Sequence, residues 1–76
     1  MTAQTTSTSR LTYRVLPIDG LWKVTLPGDS VPDSFHVRKE DAIASAMRLA
    51  KRDGAGVVVM RADGSVEAEL AEARTH

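Results

Sequence analysis

Two Asp-Gly dipeptides, each set beside β-rich runs, constrain this chain more than any other feature. Asp-Gly suits the two positive-φ positions of a type I′ hairpin turn, whose twist matches that of the strands it joins. Around Asp19-Gly20 the segment Thr12 to Leu26 reads TYRVLPIDGLWKVTL. A two-residue loop there sets Ile18 opposite Leu21, Pro17 opposite Trp22, Leu16 opposite Lys23, Val15 opposite Val24, Arg14 opposite Thr25 and Tyr13 opposite Leu26. Side chains alternate between faces, so Tyr13, Val15, Pro17, Trp22, Val24 and Leu26 share the expected core face. The other face carries Arg14, Leu16, Ile18, Leu21, Lys23 and Thr25.

The other hairpin Asp-Gly, at Asp63-Gly64, follows the β-branched run Val57 to Val59. Pairing across it places Arg61 opposite Val66, Met60 opposite Glu67, Val59 opposite Ala68, Val58 opposite Glu69 and Val57 opposite Leu70. Val57, Val59, Val66, Ala68 and Leu70 are then the expected core positions. Residues 66 to 74, VEAELAEAR, also have good helix propensity. The turn and the period-2 alternation favour a strand, and the helical alternative stays open.

Between the hairpins, residues 27 to 34 are dense in turn formers, and Phe35-His36-Val37 fits a short third strand running back along the second. Residues 38 to 53, RKEDAIASAMRLAKRD, place Ile43, Ala46, Met47 and Ala50 at helical spacing, with Ala42 and Leu49 widening the stripe. Glu40 and Asp41 lie in the first turn, Lys51 and Arg52 in the last, and Gly54 follows, the order a helix dipole favours. The start is the weak point, because neither Val37 nor Arg38 makes a good N-cap. The expected fold is therefore α+β, an antiparallel β-sheet packed on one α-helix, in the order β-β-(short β)-α-β-β.

Size and composition bound the rest. At 76 residues there is room for one domain, and a core this small rarely supplies more than ~3–5 kcal/mol. With no cysteine, neither disulfides nor a thiolate metal site can reinforce it. Residues 1–10, MTAQTTSTSR, are mostly Thr and Ser and read as a flexible tail without the apolar run of a secretory leader; 11–71 form the single domain and 72–76 a second tail. With no membrane-spanning stretch either, the expected location is cytoplasmic. Ten basic residues balance ten acidic ones, so no large positive surface is available to drive generic nucleic-acid binding.

The spacing Tyr13-x-Val15-x-Pro17, then Gly20-x-Trp22-x-Val24, then Glu40-Asp41-Ala42-Ile43 leading to Leu49-Ala50-Lys51, then a valine run and Asp63-Gly64, resembles a family of small uncharacterised bacterial domains of unknown function. The resemblance spans Tyr13 to Leu70. It implies a β-β-β-α-β-β arrangement and brings no catalytic residues. At the helix start, members carry Asp-Thr where this chain has Val37-Arg38, which leaves the cap in doubt.

Chemistry-bearing constellations are sparse. His36 is the only internal histidine and has no orienting acid at recognisable spacing, so a plain strand position accounts for it. Asp19 and Asp63 are explained by turn geometry. Gly54-Ala55-Gly56 follows a helix instead of preceding one and so lacks the amides of a phosphate cradle. The basic helix end at Arg48, Lys51 and Arg52 suits the dipole, and Trp22 belongs with the core. No catalytic, cofactor-binding or metal site is expected.

What remains is the second sheet face, where Leu16, Ile18, Leu21, Val58 and Met60 gather among Arg14, Lys23, Glu67 and Glu69. Apolar patches of this kind generally mark interfaces. The expectation is a non-enzymatic protein-interaction module whose partner is a second copy or another protein, docking through the sheet face or an edge. The alternative is a nucleic-acid-binding module presenting Arg14, Lys23 and Arg38 on a sheet backed by a helix.

Overall fold

The structure, a computed structural model, describes residues 11–28 and 31–71; the expected tails at 1–10 and 72–76 lie outside the described residues. Five strands and one helix follow in the order β1 (Thr12–Ile18), β2 (Leu21–Thr25), β3 (Ser34–His36), α1 (Lys39–Asp53), β4 (Gly56–Met60) and β5 (Val66–Ala71). The class is α+β with the expected element order.

The first hairpin has the expected register from Arg14 opposite Thr25 to Ile18 opposite Leu21. Asp19 and Gly20 both adopt positive φ, 51° and 81°, as the type I′ turn requires. Strand β3 runs antiparallel to β2, with Trp22 opposite His36, Lys23 opposite Phe35 and Val24 opposite Ser34.

The sheet order is β3-β2-β1-β4-β5. Three of its pairings are antiparallel and the central one, β1 with β4, is parallel. The connection dictates this. β2 occupies one edge of β1, β3 runs in the direction of β1, and the helix carries the chain back so that β4 starts beside Leu11, whose carbonyl accepts the Gly56 amide at 2.8 Å.

The second hairpin departs from the expected pairing, and the cause is its turn. The Asp63 carboxylate accepts the Ser65 amide at 2.9 Å and the Ser65 hydroxyl at 2.7 Å, while Gly64 adopts φ 91°. The Arg61 amide donates to the Ser65 carbonyl at 2.8 Å, so the loop holds three residues instead of two. Met60 therefore faces Val66, a bulge at Glu67 restores Val59 opposite Ala68 and Val58 opposite Glu69, and a second bulge at Leu70 sets Val57 opposite Ala71. Val66 and Leu70, expected in the core, are 48% and 41% exposed, and Ala71 packs on the core instead. Residues 66–71 are strand, which closes the alternative left open for that stretch.

Helix α1 covers one face of the sheet. Its buried line is Ala42, Ala46 and Ala50 with Ser45, whereas Met47, expected in the stripe, is 38% exposed. Small residues at i, i+4 and i+8 let the helix axis approach closely, and the volume between the layers is filled from the sheet side by Tyr13, Val15, Val24, Val57 and Val59. Trp22 is half-buried at the margin of this core. Gly54, at φ 69°, ends the helix, and Ala55 donates to the Ala50 carbonyl at 2.9 Å in the 6→1 bond of a Schellman cap. At the other end Arg38 occupies the N-cap with extended dihedrals and no side-chain cap bond, as the sequence implied.

Candidate interaction face

The face turned away from the helix is built by alternation. Arg14, Leu16 and Ile18 project there from β1, Leu21, Lys23 and Thr25 from β2, Phe35 from β3, Val58 and Met60 from β4, and Val66 and Glu69 from β5. All five expected contact residues, Leu16, Ile18, Leu21, Val58 and Met60, share it. Cross-strand pairing arranges the face in rows. One row runs Thr25, Arg14, Val58, Glu69; the next runs Phe35, Lys23, Leu16 and then, beyond the Val15–Val59 pair, Met60 and Val66. A shallow groove of about 400 Å³ lies along β4, walled by Arg14 and Leu11 on one side and Val66 on the other, with Val58 and Met60 at its floor.

Two apolar contributors were not assigned to this face from the sequence. Phe35 is 52% exposed and sits beside Lys23. Its parity against His36, which pairs with Trp22 on the helix side, was the available signal. Val66 reached the face only through the Asp63 turn, which no alternation pattern encodes.

Glu67 moved the other way. The bulge turns it to the helix side, where its carboxylate accepts from Lys39 Nζ at 2.7 Å. That bond holds the Glu67 carboxyl below the usual carboxylate range. The same ammonium lies 5.4 Å from the Trp22 ring centroid, so Lys39 ties the start of α1 to β2 and β5 together.

Of the three cations weighed for phosphate contact, Arg14 and Lys23 share the open face. Arg38 does not, since it begins α1 and approaches Asp41 at 3.5 Å. The face also carries Glu69, so its charge is mixed. Among the described residues, Arg14, Lys23 and Glu69 form no ion pair with one another.

The remaining polar groups lie elsewhere. The Tyr13 hydroxyl donates to Asp53 Oδ2 at 2.6 Å at the C-terminal end of α1, and Arg52 donates to the same carboxylate at 2.9 Å. Burial, then the bond to Asp53, pushes the Tyr13 phenol up to about 12. The Arg52 contact, then Tyr13, draws the Asp53 carboxyl down. His36 Nε2 lies 2.8 Å from Ser34 Oγ on the short edge strand β3, on the side of the sheet opposite the groove. Among the described residues no three His, Cys, Asp or Glu side chains are grouped to hold a metal ion.

With this geometry in place, comparison with known proteins adds one finding. Residues 13–72 match the family described as an uncharacterized protein conserved in bacteria (DUF2188). The chain belongs to this family. The match begins at Tyr13, the first core residue of β1, and takes in every element of the sheet and the helix. No curated protein and no solved structure matches the chain. Among the described residues no helix is long and apolar enough to cross a membrane.

Proposed function

We propose that this DUF2188 domain is a protein-interaction module that docks through the open face of its sheet and has no catalytic role. The observation that carries the reading is that face itself. One side of the sheet is covered by α1, while the other carries Leu16, Met60, Val66, Ile18 and Leu21, with Phe35 beyond Lys23, as an apolar field facing away from the helix. A field of this extent on so small a domain is a docking surface by the ordinary behaviour of soluble proteins.

The two edges are poorer candidates. Strand β5 is interrupted by two bulges and carries Glu67 and Glu69, and β3 is three residues long. Both are devices that discourage a further strand from pairing. Nucleic acid is the weaker partner class, because Glu69 shares the face with Arg14 and Lys23 and Arg38 stands apart.

The chain has no cysteine, so Met60→Cys would place a unique thiol on the groove floor. Its alkylation rate in intact producing cells, compared with dilute purified protein, reads whether the face is covered. A matching Ala44→Cys on the exposed side of α1 corrects for reagent access. The expected result is several-fold slowing at position 60 and none at position 44. Equal slowing at both positions, or none, would sink the reading.

A further inference from the structure

We infer that the occupant of the open face is a second copy of this chain, bound face to face about a two-fold axis that lies between the sheets and runs along the strands between β1 and β4. This rests on the docking role proposed above and names its partner. The open face is complementary to itself in charge and shape.

Two-fold symmetry requires a surface to match itself. With the axis between β1 and β4, each copy's β1 lies over its partner's β4 and each β2 over the partner's β5. Leu16 then meets Met60 across the interface. Arg14 lands over Val58, one strand spacing of about 4.8 Å from the partner's Arg14 on one side and from its Glu69 on the other, so that the two long arginine side chains turn away from the axis towards Glu69. Lys23 lies over Val66, the open-face neighbour of Glu69 along β5. Each Glu69 thus meets two cations that have no acidic partner among the described residues of their own chain. The ridge formed by Arg14 and Leu16 enters the groove along β4, which is the depression it needs.

Two other arrangements are poorer. Centring the axis on β1, the middle strand, sets Arg14 directly over Arg14 and leaves Glu69 two strand spacings away. An edge-to-edge dimer through β5 runs into its bulges and glutamates. Sheets stacked face to face keep their strands within about 30° of alignment, so the rows stay matched near the axis.

The overlap covers four strands by about five residues, a footprint on the order of 350 Å² per copy. That is below the ~800 Å² per partner of standard interfaces, which puts the dimer among weak, concentration-dependent ones.

Sedimentation equilibrium over a concentration series tests this on four samples: wild type, Arg14→Glu, Glu69→Arg, and an equimolar mixture of the two variants. In the mixture both pairs between positions 14 and 69 are restored across the heterodimer, whereas within each variant both are like-charged; of the two contacts from Lys23 to position 69, one stays attractive in the mixture. The expected result is a wild-type mass rising towards twice the monomer, both variants remaining monomeric with unchanged far-ultraviolet circular dichroism, and the mixture heavier than either variant alone. A contact within one chain could not be rescued by mixing. A wild type monomeric to its solubility limit, or a mixture no heavier than its components, overturns the second copy. If the Met60→Cys thiol is nevertheless shielded in cells, the docking role stands with a different partner; if it is not shielded, both fall.

Discussion

Tyr13 is the chain's only tyrosine, so its ionisation can be followed alone by tyrosinate absorbance. Its phenol is held at about 12 in the folded state against an ordinary 10, so the native protein binds this proton more tightly than the unfolded chain does. The stability it lends is complete below pH 10 and is lost as pH climbs from 10 towards 12. Asp53 acts with the opposite sign. Its carboxyl lies below its ordinary 3.8, so its share is present above that value and lost on acidification. Tyr13→Phe should cost about 1.5 kcal/mol at neutral pH, the low end of the range for a hydrogen bond to a charged acceptor because Asp53 stands at the surface. Thermal melts of both proteins across the alkaline range check this: the gap between them should narrow as pH rises above 10. The bond was not legible in the sequence, since Tyr13 and Asp53 lie forty positions apart and only the crossing of β1 by the helix end brings them together.

Among the elements, the first hairpin was readable pair by pair and the second only at its centre. In both, an Asp-Gly dipeptide marks the turn, but Asp19 takes a positive φ while Asp63 bonds Ser65 and leaves the left-handed position to Gly64 alone. A single added loop residue reverses the parity of everything beyond it, which is why Val66 and Glu67 exchanged faces until the bulge corrected the count. The helix was legible because its end charges, alanine line and terminal glycine all agree. Its missing N-cap was legible too and offers a direct gain. Arg38→Ser places a capping hydroxyl where none exists, and the expected stabilisation is about 0.5–1 kcal/mol, or roughly 2–8 °C in melting temperature for a domain of this size. Calorimetry reads it, and an unchanged or lowered melting temperature would show that the Arg38–Asp41 contact matters more than the absent cap.

For the whole molecule, the apolar field and its three charges were foreseen as a mixture, with Glu67 wrongly included and Phe35 and Val66 missed. What could not be foreseen was the pattern: rows exist only once strand order is known, and β1 beside β4 follows from the helix crossover. In the proposed dimer, association through that field combines apolar contact with ion pairs exposed at its rim. Raising salt from about 50 mM to 1 M shortens the Debye length from about 14 Å to 3 Å and should weaken association only modestly, since the rim charges are screened and the Leu16–Met60 contact is not. Met60→Glu should abolish association at any salt. Sedimentation at the two salt concentrations distinguishes these, and complete loss at high salt would assign the attachment to charge alone.

The parallel seam between β1 and β4 also governs the order in which the chain can be completed. During synthesis, β1, β2 and β3 emerge together and can pair at once, but the free edge of β1 has to wait until Val59 has been added. A nascent chain stalled within α1 therefore carries its largest core residue, Tyr13, on a strand open to any stray partner. The strand that closes that edge, β4, is encoded in the final third of the sequence.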